Sequence, residues 1–134
     1  MRAQGLFLII LFSLLVSSPA VASDWERIFS DKDITLYVDK QSIKGDMTSR
    51  RVWDKEVFKK EQRTPHGISY AMRIDYLEID CNNSTLKHHE VSFYSITGEI
   101  VDSWHNPHPN IHRIVPHSVG ESIKEYVCSF KQTK

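Results

Sequence analysis

The sequence predicts an α+β domain: an antiparallel sheet of about five or six strands, with one C-terminal helix packed on it and one disulfide. Three observations lead there. Apolar residues alternate with polar ones through most of 25–104, the period of a strand with two unlike faces. Ser118 stands three residues before Glu121, and Val119, Ile123, Tyr126, Val127 and Phe130 follow at helical spacing, a capping box with an apolar stripe behind it. The two cysteines, Cys81 and Cys128, lie in a chain that opens with an export signal, and two cysteines in an exported domain most simply pair.

The signal comes first. After Met1 and Arg2, residues 6–16 are apolar except for Ser13, and Ala20-Val21-Ala22 is a small-residue cleavage site. The apolar run is about half the roughly 20 residues that a bilayer crossing needs. Residues 1–22 are therefore expected to be removed, leaving 23–134 as a single domain. No cysteine adjoins the cleavage site and no second apolar run follows. The expected product is an exported protein, periplasmic or secreted, that is not a lipoprotein and has no membrane span.

Residues 25–29 and 34–39 read as strands, and Lys44-Gly45-Asp46 as a turn. Residues 49–58 form the next strand, with Val52, Asp54, Glu56 and Phe58 on one side and Arg51, Trp53, Lys55 and Val57 on the other. Residues 59–67 are polar, contain Pro65, and read as a loop. In 68–81, Ile68, Tyr70, Met72, Ile74 and Tyr76 share one face. The apolar set then moves to Leu77, Ile79 and Cys81, which predicts a bulge or strong twist near Tyr76. Asn82-Asn83-Ser84 turns into a strand over 85–95, and Thr97-Gly98-Glu99 turns into another over 100–104, completing a meander. Two prolines keep 106–110 out of any sheet interior. On an ideal helix Cys128 points away from the apolar stripe. Either the helix ends near Val127, or the bridge sits at the margin of the sheet.

Composition narrows the function. Basic and acidic side chains number seventeen each, and losing Arg2 leaves a slight negative excess. There is no basic stripe for nucleic acid and no polybasic segment for anionic lipid. There is no nucleophile elbow, no glycine-rich phosphate loop and no free cysteine beside a histidine, so an enzyme is not expected. Asp75 and Glu90 are read as charges on a solvated sheet face.

The C-terminal half carries an ordered set of motifs: 76–81 (YLEIDC), Thr97-Gly98, 114–121 (IVPHSVGE) and Tyr126-Val127-Cys128, with 36–39 (LYVD), Ser42-Ile43 and Val52-Trp53 upstream. Together they resemble the bacterial surface-adhesin protein E family across nearly all of 23–134. The resemblance implies an exported antiparallel sheet, a C-terminal helix and a cysteine pair joining them. It also implies a non-enzymatic protein-binding role without a cofactor, toward host or envelope proteins, since the family's namesake is a surface lipoprotein that binds host matrix and serum proteins. The absence of a lipidation cysteine departs from that namesake.

Two segments are candidate sites. The basic residues Arg50, Arg51, Lys59 and Lys60 could dock an acidic protein partner. The histidines His105, His108, His112 and His117 could instead hold zinc, copper or nickel in a periplasmic metal-binding protein, although the prolines among them prevent a helix from aligning them. An exposed face bearing Trp or Tyr would point to protein binding.

Overall fold

The computed structural model describes residues 22–132; the expected signal peptide, apart from Ala22, lies outside the described residues. In chain order the strands are β1 (Trp25–Ser30), β2 (Ile34–Asp39), β3 (Lys44–Gly45), β4 (Arg50–Arg63), β5 (Ser69–Asp80), β6 (Thr85–Tyr94), β7 (Ile100–His105) and β8 (His112–Arg113), followed by α1 (Val119–Ser129). Six strands form one antiparallel sheet in the order β1-β2-β4-β5-β6-β7, and the two-residue β3 and β8 add to β4 and β6. The count of eight exceeds the expected five or six because of these two short additions. Among the described residues no helix is long and apolar enough to cross a membrane.

β4 runs on to Arg63, through residues read from sequence as loop. It does so by irregular pairing: register shifts between Val57 and Gln62, after which Gln62 opposes Tyr70 and Arg63 opposes Ser69. Thr64 closes the hairpin, its N–H donating to the Ile68 carbonyl at 2.8 Å. At the other end of β4, Gly45 has φ +104°, and a Cβ there would collide with the Ser49 carbonyl, so this turn demands glycine.

The register also shifts between Tyr76 and Leu77, where the sequence pattern changes face. The extra residue is His89 on β6, however, since Tyr76 opposes Glu90 and Leu77 opposes His88. Tyr70 is buried with Val91 and Phe93, but from Met72 on β5 keeps alternating. Its apolar residues change face because the interior face itself carries Arg73 and Asp75. Asp75 is buried opposite Asp54 and Val91, which corrects its reading as a solvated partner of Glu90.

The helix packs on one face. Ile123 and Val127 meet Leu36, Val38, Val52, Leu77, Ile79 and Leu86, with Val119, Tyr126 and Phe130 at the margin. A second apolar cluster of Tyr70, Val91 and Phe93, flanked by Phe58 and Val101, sits apart from it. At the helix start the Ser118 hydroxyl accepts from the Glu121 N–H at 3.3 Å. The Glu121 carboxylate reaches one residue past the usual box, accepting from the His117 N–H at 2.6 Å. Cys81, just past β5, and Cys128, in the last turn of α1, form a disulfide with Cα atoms 5.9 Å apart. The helix continues to Ser129, so the bridge sits at the margin of the sheet.

Candidate functional site

Opposite the helix, the sheet presents an aromatic face. Alternation along β4 sends Arg51, Trp53 and Lys55 outward, away from buried Val52, Asp54 and Glu56. Register then sets Tyr37 and Ile74 beside Lys55, Tyr76 beside Trp53 and Glu78 beside Arg51. Trp53 and Tyr76 stack with centroids 4.7 Å apart. The Lys55 ammonium lies 4.5 Å from the Trp25 ring centroid and 4.7 Å from that of Tyr37, within the range of a cation–π contact. Partial burial holds the Lys55 pKa below its ordinary value. All four aromatics are half-buried.

Glu78 anchors one end of this face. It accepts from the Ser49 hydroxyl at 3.1 Å and lies 2.7 Å from His89 Nε2, with Arg51 at 3.5 Å and Lys87 at 3.6 Å. Burial pushes the Glu78 carboxyl up, but the hydrogen bonds from His89 and Ser49, with the charges of Lys87 and Arg51, hold it below the usual range.

The basic residues singled out from sequence do not form one patch. Arg50 is buried, and its guanidinium donates to the carbonyls of Val127 and Phe130, the latter at 2.9 Å. Arg51 is exposed on the aromatic face. Lys59 and Lys60 are exposed near the far end of β4, roughly 27 Å along the strand from Arg51.

The histidines are also dispersed. His105 Nδ1 lies 3.2 Å from Glu90. His112 packs its ring 5.7 Å from that of His88. His108 is exposed in the loop, and His117 precedes the helix with φ 60°. Among the described residues the metal-ligating side chains that converge in a group of three are Asp54, Glu56 and Asp75.

That group is interior. Asp54 and Asp75 are 0% and 1% exposed, and Glu56 is 6% exposed. Arg73 bridges two of them, with Nη2 3.1 Å from Glu56 and Nε 3.0 Å from Asp75. Neither Asp54 oxygen, nor Asp75 Oδ1, meets a hydrogen-bond donor of the chain. Burial, then the charges of Asp75 and Glu56, raise the Asp54 carboxyl well above its ordinary range. Burial pushes Asp75 up to about 7 against the pull of Arg73. The cluster lines a cavity of about 220 Å³, together with His88, Leu77, Leu86, Ile123 and the first turn of α1. Burial, Arg73 and His112 lower the His88 imidazole to about 4. Sequence reading missed this site. Its one signal was that Asp54 and Glu56 share a strand face with Val52 and Phe58.

Two solved structures share this architecture. Protein E from non-typeable Haemophilus influenzae is 17% identical with a TM-score of 0.52, over 85% of this chain and 81% of that one. A second crystal form of Haemophilus influenzae protein E is 16% identical with a TM-score of 0.54, over 85% of this chain and 94% of that one. Identity this low establishes the likeness of fold. Among curated proteins, none matches the chain in sequence. The family described as Surface-adhesin protein E matches residues 25–129, from the first residue of β1 to the last of α1. The chain therefore belongs to the surface-adhesin protein E family.

Proposed function

We propose that this chain is an exported, non-enzymatic adhesin-type domain that binds a host or envelope protein through the sheet face opposite its helix. The supporting observation is the row of Trp25, Tyr37, Trp53 and Tyr76 with Lys55 set among them. Half-exposed Trp and Tyr offer large contact area with few rotors to freeze, and they are enriched where protein interfaces hold most tightly. Arg51 and Glu78 give the face a charged rim. Lys59 and Lys60 supply a separate basic point, and Arg50 takes no part because it is buried.

Export rests on the sequence of residues 1–22, with processing between Ala22 and Ser23; mass spectrometry of the exported protein reads the new N-terminus directly. The binding role is tested by pull-down from matrix and envelope extracts with the disulfide-bonded protein, beside the double variant Trp53→Ala, Tyr76→Ala. A specific partner captured by the wild type and lost by the folded variant supports the reading. Equal capture by both refutes the assignment to this face. Zinc or copper titration of a His105, His108 and His112 alanine variant runs in parallel. Stoichiometric binding by the wild type, lost in that variant, would favour the periplasmic metal-binding role instead.

A further inference from the structure

We propose that the cavity between β4, β5 and the first turn of α1 binds one divalent cation of the hard, oxygen-seeking class, Ca²⁺ foremost, through Asp54, Glu56 and Asp75. This site lies on the opposite side of the sheet from the aromatic face and does not depend on the adhesin reading.

Three separate facts lead to it. The first is convergence. One carboxylate oxygen from each residue lies within 4.8 Å of the others. Two oxygens on one Ca²⁺ at roughly 2.4 Å can be at most about 4.8 Å apart, so the spacing is compatible with one shared ion once the side chains adjust on a fixed backbone. Asp54 and Asp75 face each other across the β4–β5 pair and Glu56 follows two residues on, so the ligands sit on rigid backbone.

The second is the unanswered acceptor. Asp54 is fully buried, lines the cavity, and neither of its oxygens meets a donor of the chain. Buried polar atoms are nearly always satisfied, and one that is not calls for a partner. Asp75 is ion-paired through one oxygen with Arg73 Nε at 3.0 Å, and its other oxygen is likewise without a donor.

The third is charge. Three carboxylates face one guanidinium, Arg73, which already bridges Glu56 and Asp75. Two negative charges are left over when all three are ionised, and a single divalent ion cancels them. The first turn of α1 contributes only partial positive charge. The donor set is oxygen, which suits Ca²⁺, Mg²⁺ or Mn²⁺ over softer metals. Of the charged side chains here Arg73 is the most exposed, at 27%.

The experiment is calorimetric titration of Ca²⁺ into the EDTA-stripped, disulfide-bonded protein near pH 7.5, with Mg²⁺ and Mn²⁺ as comparisons. Thermal melts are recorded with and without each ion. The expected result is one site per chain with a Kd below about 1 mM and a Tm raised by about 5 °C at roughly ten times Kd. Asp54→Asn should weaken binding at least about tenfold, while Glu99→Gln, an exposed carboxylate away from the cavity, should leave it unchanged. If Asp54→Asn does not fold, Asp75→Asn takes its place, and the wild-type titration stands alone in any case. The proposal is overturned if none of the three ions binds or shifts the wild-type Tm, or if a folded Asp54→Asn binds as tightly as wild type.

Discussion

The guanidinium of Arg50, in the first position of β4, donates to the main-chain carbonyl of Val127, in the last turn of α1. The two residues are 77 apart in sequence. A second donation, at 2.9 Å, answers the carbonyl of Phe130, the residue that ends the helix. One buried cation thus caps the helix and ties it to the sheet. Arg50→Met should therefore destabilise the fold by about 3 kcal/mol, because two charge-assisted hydrogen bonds are lost and the Phe130 carbonyl is left without its donor. Arg51→Met, one residue along and on the opposite face, should cost well under about 1 kcal/mol. Urea unfolding of the two variants makes the comparison, and equal midpoints would sink the capping role.

The Cys81–Cys128 bridge works alongside that cap. It spans 47 residues, and closing a loop of that length stabilises by roughly 2–5 kcal/mol. Cys128→Ser should lower the urea midpoint accordingly, and the same loss should follow reduction of the wild type. A midpoint unmoved by dithiothreitol would show that the helix docks without the bridge.

On the aromatic face, binding and stability should separate. Trp53→Ala should reduce partner affinity at least about thirtyfold if this face is the contact surface, the effect of losing a buried aromatic anchor worth about 2 kcal/mol. Lys59→Ala with Lys60→Ala should change affinity only a few-fold and act mainly on the association rate. Surface plasmon resonance with the captured partner distinguishes the two. A larger loss from the lysine pair would move the site to the far end of β4.

His88 should give the protein an acid-sensitive limb. Burial, Arg73 and His112 lower its pKa from 6.5 to about 4. Between those values the unfolded chain holds a proton that the folded chain refuses, so the stability His88 contributes is full above pH 6.5 and is lost as pH falls toward 4. With EDTA present, melts of His88→Gln should fall less steeply than wild type across that window. Parallel slopes would remove His88 from the acid response.

Much of the fold was legible because its elements obey simple periods. Leu36 and Val38, and then Leu77 and Ile79, alternate as a half-buried strand must, and Ser118 with Glu121 marks the helix start. The strand extension past Phe58 was hidden because Lys59, Lys60, Glu61 and Arg63 are charged, and an irregular hairpin arm is as polar as a loop. Arg50 and Arg51 are adjacent in sequence and so point to opposite faces. Alternation alone separates them, but only the docked helix says which one is inside. The Asp54, Glu56 and Asp75 cluster was hidden for a deeper reason: carboxylates are assigned to solvent by default, and no local pattern announces the exception.

The order of the strands has a consequence for how the chain is made. Neighbours in sequence are mostly neighbours in the sheet, so each hairpin can close soon after its residues appear. The helix breaks that rule, since it is the last element among the described residues and lies against some of the first. Tyr126 bonds to Glu26, Gln132 to the Ile43 carbonyl, and Val127 packs in one cluster with Leu36 and Val38. A chain emerging N-terminus first must therefore carry an uncovered apolar sheet face until residues 119–130 have followed.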